Sequence, residues 1–408
     1  MSVTLRLAWR NLWRHGRRTW LTVGAMVFCN ALLVFLISSQ LGSYAMMIDG
    51  TLGFLTGHLQ VQEQRYNEES KMRYTVPDGI AVAKALRDST GNPAIAARGS
   101  AFALASSEDR SFGIQILGVQ PQFEPAVSTL PGLIDQGRYL QSSDAAEIVI
   151  GTVLARNLKI GVGDEITFLG SGRDDSFAAG IATVVGIINS GITDVDRAIA
   201  EIPLNYFQSI FAMEDDVHSI VVKVDDLDKV APLKKQIQSQ LGDSSLTVLD
   251  WNQLQPGLGQ AIQADMFSSF LTYAVLIVLV AFSVLNTQLM SVLERTREFG
   301  VMTALGVRPG QLGRLVLLET AIMSSLGLLL GCVAGGLLTA YLAHTGISLD
   351  AMKEALERYN IEGRLYPQLS IISLFGGPLI VFVGGMLAAI YPALRLHTLQ
   401  PVAAMRAV

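Results

Sequence analysis

Four long runs of apolar residues constrain the fold more than any other feature of this sequence. They cover residues 20–44, 267–290, 315–343 and 369–394, and each contains few charged side chains. A helix needs about 20 apolar residues to cross the hydrocarbon core of a bilayer. The sequence therefore predicts a membrane protein with four transmembrane α-helices, arranged as one span, a long external segment and then three spans.

The first apolar run also has the arginine-rich start that is typical of a signal peptide. Its apolar part, residues 21–41, is longer than the roughly 7 to 15 residues of a signal sequence, and no small-x-small cleavage site follows it. We therefore expect an uncleaved membrane anchor.

The distribution of charge predicts the orientation of the spans. Five arginines precede the first run between residues 6 and 18, and four more lie between residues 291 and 314. Segments rich in arginine and lysine stay on the cytoplasmic side. The block 45–266 holds 16 basic and 28 acidic residues, so we expect it outside, with the N- and C-termini in the cytoplasm.

The external block mixes the sequence patterns of strands and helices. Residues 111–119 and 181–188 have short apolar or alternating runs, whereas residues 227–241 have apolar residues at spacings of three and four. The block is therefore predicted to be an α+β domain. A Gly/Ser/Asp-rich stretch at 170–180 is a candidate internal domain boundary.

The sequence lacks the motifs of nucleotide-binding and metal-binding sites. The sequence has no Gly-x-x-x-x-Gly-Lys-Ser/Thr loop for nucleotide phosphates, its five histidines are scattered, and its two cysteines, Cys29 and Cys332, lie in apolar runs. We expect no enzymatic activity, no metal or cofactor on this chain, and no nucleic acid partner. The energy for any transport must then come from another protein.

Two features of the third run have alternative explanations. Glu319 either lies in a translocation path or pairs with Arg314 or a neighbouring helix, and we favour the structural role. Gly327, Gly331 and Gly335 recur at a spacing of four, which lets helix backbones approach closely. That packing is expected either within one chain or across a dimer.

The segment between the second and third runs, residues 291–310, has an amphipathic pattern. Its apolar residues are Val292, Phe299, Met302 and Leu305. Its charged residues are Glu294, Arg295, Arg297 and Glu298. Pro309-Gly310 should end this helix. A solvated linker would not need the apolar residues, so we interpret them as a docking face for a cytoplasmic partner.

The same segment carries a family resemblance. Residues 286–309, Asn-Thr-Gln-Leu-Met-Ser-Val-Leu-Glu-Arg-Thr-Arg-Glu-Phe-Gly-Val-Met-Thr-Ala-Leu-Gly-Val-Arg-Pro, resemble the coupling region of the FtsX-like ABC transporter permeases, which include the MacB and lipoprotein-releasing LolC/LolE groups. Other stretches are also similar to this family: the opening at 7–19, the external stretches 147–158, 161–166 and 184–187, and the C-terminal Tyr391-Pro-Ala-Leu-Arg followed by Pro401-Val-Ala-Ala-Met-Arg. Residues 57–62 and 117–124 look closer to LolC/LolE, although Gln120 replaces the usual Asp before Pro121.

The resemblance implies a division of the chain. It comprises a cytoplasmic interfacial elbow helix (1–19), a first span (20–44), a periplasmic α+β domain with a MacB-like core (45–266), a second span (267–290), a cytoplasmic coupling helix and turn (291–314), a third span (315–343), a periplasmic loop (344–368), a fourth span (369–394) and a cytoplasmic tail (395–408). The coupling helix would contact the ATPase through Glu294, Arg295, Arg297, Glu298, Phe299, Met302 and Leu305.

The resemblance also implies the partners. They are two copies of a cytoplasmic ABC ATPase that holds the ATP and Mg²⁺, a second permease copy or a paralogue, membrane lipids, and a periplasmic carrier or adaptor. The implied function in the bacterial inner membrane is mechanotransmission, the use of ATP hydrolysis to move the periplasmic domain and so release lipoproteins or lipids. Two alternatives stay open: an FtsX-type transmitter that activates a periplasmic partner, and an efflux permease for peptides or amphiphiles.

Overall fold

The computed structural model describes residues 3–14, 16–108, 110–242, 245–348 and 364–396. Most of the predicted loop 344–368, the tail from residue 397 onward and the motif at 401–406 lie outside the described residues. The described chain forms two compact units. The first, called the membrane unit, draws on the described residues within 3–44, 262–348 and 364–396, and the second, called the external unit, draws on those within 45–261.

Helices and strands are numbered here in chain order over both units. The described helices are α1 (Val3–Arg14), α2 (Gly16–Leu52), α3 (Tyr66–Glu69), α4 (Gly79–Thr90), α5 (Glu124–Val127), α6 (Thr152–Leu158), α7 (Thr193–Ala198), α8 (Leu204–Ile210), α9 (Val230–Leu241), α10 (Trp251–Leu254), α11 (Pro256–Glu294), α12 (Thr296–Ala304), α13 (Pro309–Thr345) and α14 (Ile371–Arg395). The described strands are β1 (Leu59–Glu63), β2 (Ile95–Ser106), β3 (Ser111–Val119), β4 (Ile134–Gly137), β5 (Glu147–Gly151), β6 (Glu165–Ser171), β7 (Phe177–Ile188), β8 (Ile199–Pro203), β9 (Ser219–Val222), β10 (Leu246–Asp250), β11 (Ile347–Ser348) and β12 (Arg364–Leu365).

Four helices of the described chain are long and apolar enough to cross a membrane. They are α2, α11, α13 and α14, with 37, 39, 37 and 25 residues. Lipid offers no hydrogen-bond partners to the backbone, and an α-helix pairs its backbone N–H and C=O groups within itself. Long apolar runs therefore fold as helices in a membrane. Large apolar side chains such as Leu21, Phe282 and Leu337 are exposed along these helices. The predicted order of one span, a large domain and three spans agrees with this arrangement.

Small residues let α13 pack closely against α2 in the same chain. A β-carbon added at Gly327 would lie 2.6 Å from the β-carbon of Met26, and one added at Gly335 would lie 2.9 Å from the Cα of Ala31. Gly331 similarly faces Asn30. The amide of Asn30 donates to the carbonyl of Gly327 at 3.1 Å. These contacts place the three-glycine stripe within one chain.

The external unit is built on one ten-stranded sheet. The strand order is β10-β1-β9-β2-β3-β8-β5-β7-β4, and β6 pairs with both β2 and β7. Most neighbours are antiparallel, but β3 and β8 are parallel, as are β5 and β7. The two largest apolar clusters that pack on this sheet lie around α4 and α9 and around α6 and α8, and a smaller one includes Leu117, Val149 and Ile188. The predicted α+β character of this domain is confirmed.

The glycine-rich stretch at 170–180 is not a domain boundary. It contains the turn of a β-hairpin, in which β6 and β7 pair from Glu165 opposite Thr183 to Ser171 opposite Phe177. The turn residue Asp175 has a φ of +61°, a backbone conformation in which aspartate is tolerated. Turn-forming residues therefore predicted the reversal of the chain correctly, but they did not separate two domains.

Candidate functional site

The segment between the second and third long helices is a short helix held by two sharp breaks. α11 ends at Glu294, and Arg295 separates it from the nine-residue helix α12. After Leu305 the chain turns at Gly306, whose φ of +95° favours glycine. Pro309 then starts α13, where proline fits because the first turn needs no N–H bond. Gly306 and Pro309 therefore separate the end of α12 from α13.

The inner side of α12 belongs to an apolar core of the membrane unit. Phe299 is only 1% exposed and lies in a cluster of residues from α1, α11, α13 and the end of α14. Val292 is buried in the same cluster, and Met302 packs against it. The interpretation of Val292, Phe299, Met302 and Leu305 as one docking face is therefore wrong. A helix this short gains its stability from packing, and three of these residues supply that packing.

A buried polar network joins the elements around α12. The Arg295 guanidinium donates to both carboxylate oxygens of Glu319, at 3.1 and 3.2 Å, and the Asn11 amide donates to the same carboxylate at 2.8 Å. The side chains of Arg295 and Glu319 are only 10% and 6% exposed. The guanidinium also lies 4.9 Å from the centre of the Phe299 ring. We call this group the Asn11–Arg295–Glu319 network.

This network answers the question that the sequence left open about Glu319. Its carboxylate is paired with Arg295 and Asn11 rather than with Arg314. Because both of its oxygens accept hydrogen bonds from a cation, the arrangement suits a fixed connection between α1, α12 and α13 better than proton transfer. Asn11 was not singled out in the sequence, and its partner is 308 residues away.

Two exposed ion pairs connect the first helices to the same segment. Arg14 lies 3.1 Å from Glu298, and Arg18 lies 2.7 Å from Glu294. Exposed pairs of this kind contribute about 0 to 1 kcal/mol each. The first pair can orient α12 relative to α1, and the second can hold the end of α11 beside α2, but both add little to the stability of the unit.

The outer side of α12 carries a smaller apolar face. Leu305 is 81% exposed and Val301 is 44% exposed, and Ala304 lies between them. Arg297 and Arg308 are exposed at the two ends of this stripe. Spacings of three and four place these side chains on one side of the helix. We call Val301, Ala304 and Leu305 the outer face of α12. The sequence identified Leu305 but missed Val301, which the same spacing would have found.

The external unit contains a separate buried charge cluster. Arg98 donates to the Glu124 carboxylate, with its Nε 3.2 Å from Oε2, and also to the carbonyl of Leu55. The Tyr139 hydroxyl donates to Glu201 at 2.7 Å. Burial and the nearby carboxylate of Glu124 raise the pKa of Glu201 to about 8. One arginine faces two buried carboxyl groups, so Glu201 keeps its proton near neutral pH.

The contacts of this cluster join separate segments of the external unit. Within the described ranges, no group of three or more His, Cys, Asp or Glu residues is placed to hold a metal ion. The hydrogen bond from Arg98 to Leu55 ties the segment that follows α2 to the sheet. The cluster is therefore structural in its geometry. The sequence offered no signal for it, because its four members come from distant segments.

Comparison with known proteins identifies the family. A model of the FtsX-like permease C-terminal region matches residues 270–401, and a model of the MacB-like periplasmic core domain matches residues 19–240. The lipoprotein-releasing system transmembrane protein LolC of Xylella fastidiosa is 24% identical over 306 residues, covering 71% of this chain and 72% of LolC.

Two further matches also have low sequence identity. An uncharacterized ABC transporter permease of Methanocaldococcus jannaschii, MJ1507, is 25% identical over 280 residues, covering 67% of this chain and 65% of that protein. The extracellular domain of the transporter YknZ from Gram-positive bacteria aligns with 48% of this chain and all of that domain, at 15% identity and a TM-score of 0.37. From the two family matches, which together extend from residue 19 to residue 401, the chain belongs to the FtsX-like ABC transporter permeases with a MacB-like periplasmic core domain.

Proposed function

We propose that this chain is the permease subunit of an ABC transporter in which α12 receives the stroke of a separate ATPase. The observation that carries this proposal is the outer face of α12, where Leu305 is 81% exposed beside arginines on a helix whose other side is buried. An exposed apolar face of this kind is typical of a protein contact. ATP and Mg²⁺ would bind to the ATPase, and this chain would have no catalytic role.

The buried side of α12 supports transmission of that stroke. A force on the outer face reaches Phe299 within the same short helix and Arg295 directly before it. Phe299 contacts the apolar core that includes α13, and Arg295 holds Glu319 of α13. Packed cores transmit displacement because they contain few voids. The proposed output is motion of the periplasmic domain, to which the helix bundle is connected through the chain.

Charge supports the orientation in this proposal. The arginines of α1 and of residues 291–314 favour a cytoplasmic position for the termini and α12, and the acidic composition of the external unit favours the periplasm. The membrane is then the bacterial inner membrane. A complete transporter would contain two ATPase subunits and a second permease, which is either a copy of this chain or a paralogue.

A matched pair of substitutions tests the contact with the ATPase. Val301→Glu and Leu305→Glu place charge on the outer face, so we expect loss of the ABC ATPase subunit that co-purifies with the chain from its own host. Val162→Glu is the control, because Val162 is also about half exposed but belongs to the external unit. ATPase recovery at the original level in Leu305→Glu would argue against this face as the contact.

The proposed substrates are lipoproteins or lipids of the inner membrane. The support is the similarity to LolC, whose name describes a lipoprotein-releasing system. Depletion of the chain should leave lipoproteins in the inner membrane fraction of its host. If their distribution stays the same, the proposed substrate is wrong. Sensitivity to amphiphilic compounds would then indicate efflux, and loss of a periplasmic hydrolase activity would indicate a transmitter.

A further inference from the structure

A basic cavity lies at the start of α2. Its volume is ≈ 350 Å³, and the described residues that line it are Arg14, Gly16, Arg17, Arg18 and Glu294. Arg14 and Arg18 are each paired with a glutamate. Arg17 is exposed and forms no ion pair with any residue that the structure describes. The cavity, which we call the Arg17 cavity, therefore keeps an uncompensated positive charge that suits an anion.

Three tryptophans mark the depth of this cavity relative to the membrane. The rings of Trp9 and Trp13 are 5.8 Å apart, and those of Trp13 and Trp20 are 6.0 Å apart. All three are about half exposed. Indole rings prefer the headgroup level of a bilayer, and the apolar run of α2 begins at Trp20. The Arg17 cavity thus lies where lipid phosphates are found.

An exposed apolar stripe continues from the cavity along α2, and we call it the groove because Gly24 interrupts its large side chains. Residues 17, 21, 24 and 28 follow a helical spacing and are all exposed. Leu21 is 76% exposed and Phe28 is 70% exposed. Between them, a β-carbon added at Gly24 would have no atom within 4 Å. Gly24 therefore leaves a gap between two large side chains that is open to an acyl chain.

We propose that the Arg17 cavity binds the phosphate of an anionic phospholipid and that an acyl chain of this lipid lies over Gly24, between Leu21 and Phe28. A free phosphate ion would use the arginines but not the groove. A zwitterionic lipid would gain less from the charge on Arg17. The exposed guanidinium of Arg17 would pair with the lipid phosphate, the indole rings of α1 and α2 would lie at headgroup depth, and the apolar groove on α2 would hold the acyl chain.

Quenching of tryptophan fluorescence by brominated lipids tests this site. Trp251→Phe removes the one tryptophan of the external unit, so that Trp9, Trp13 and Trp20 report. The full chain is reconstituted in phosphatidylcholine bilayers that contain brominated phosphatidylglycerol or brominated phosphatidylcholine. We expect preferential quenching by phosphatidylglycerol. Arg17→Gln should reduce this preference about fivefold, which corresponds to the roughly 1 kcal/mol that a basic residue contributes near anionic lipid.

Two matched variants separate the site from general effects. Arg308→Gln removes one exposed arginine elsewhere in the membrane unit and should leave the preference unchanged. Gly24→Leu fills the groove without a clash and should reduce the preference while Arg17 is intact. The proposal is overturned if phosphatidylglycerol shows no preference, if Arg308→Gln acts like Arg17→Gln, or if Gly24→Leu has no effect. Displacement of the lipid by sodium phosphate at constant ionic strength would identify a free phosphate site instead.

Discussion

Removal of Arg295 should destabilise the membrane unit far more than removal of Glu319. In Arg295→Met the Glu319 carboxylate stays buried with only the Asn11 amide as a partner. Loss of one member of a buried ion pair costs about 3 to 5 kcal/mol. In Glu319→Gln the Asn11 amide can still donate to the new side chain, and Arg295 keeps Glu298 at 3.3 Å. We therefore expect a smaller loss for Glu319→Gln.

The double variant Arg295→Met with Glu319→Gln provides the diagnostic comparison. It removes both charges and leaves a neutral amide that still accepts from Asn11. The buried unpaired charge of Arg295→Met is then gone, so the double variant should be more stable than Arg295→Met alone. Such non-additivity measures the interaction between the two side chains directly.

Thermal unfolding of the purified full chain in detergent measures these differences. With Trp251→Phe in the background, fluorescence reports on the tryptophans of the membrane unit. A change of 1 kcal/mol shifts the midpoint by roughly 2 to 4 °C for a unit of this size, so Arg295→Met should lower it by roughly 6 to 20 °C. A shift within about 2 °C, or a double variant less stable than Arg295→Met, would refute the reasoning.

Three further predictions concern other parts of the chain. In the folded chain the pKa of the Glu201 carboxyl is raised to about 8, whereas in the unfolded chain it has its usual value near 4.5. The free energy of unfolding should therefore fall as pH rises between these two values, by up to about 1.4 kcal/mol per pH unit. Urea unfolding measures this dependence, and Glu201→Gln should lack it. Burial lowers the pKa of His218 to about 4 from 6.5, so its contribution to stability should be lost as pH falls through that range, and His218→Gln should remove this loss in the same assay. Gly331→Ala should lower the thermal midpoint because its methyl would overlap Asn30, whereas Gly376→Ala, which meets only a side chain of its own helix at 3.7 Å, should leave it unchanged or raise it slightly.

The features that were predicted well from the sequence depend on residues that are close together along the chain. Four long apolar helices and the amphipathic segment between the second and third require only local length and spacing, and the family motifs are contiguous. The pairing of β1 with β9 and β10 is different, because Val61 lies opposite Ile220 and Val248. An apolar alternating strand can pair with any similar strand, so its pattern does not identify partners more than 150 residues away.

The candidate site was predictable to the same extent. The helical period placed charged and apolar residues on different sides of α12, but an amphipathic helix does not reveal whether its apolar side meets its own chain or a partner. Phe299 faces inward because α1, α13 and the end of α14 supply the core around it. The partner of Glu319 was unpredictable for the same reason, since Asn11 reaches it through tertiary packing alone.

The division of apolar residues over α12 has a mechanical consequence. With nine residues, this helix is too short to be stable by itself, so it depends on Phe299 and Arg295 for its position. If α12 were held only by a partner protein, it could shift relative to the rest of its own chain. The motion of the partner would then not reach α13. Here the residues that would contact a partner, Val301 and Leu305, lie on the same rigid element as those fixed to α13. Displacement of the outer face must then either move α13 or break the Arg295–Glu319 contact. Under the proposed function, variants that weaken this contact while keeping Leu305 should therefore still bind the proposed ATPase partner but transmit less of its motion to α13.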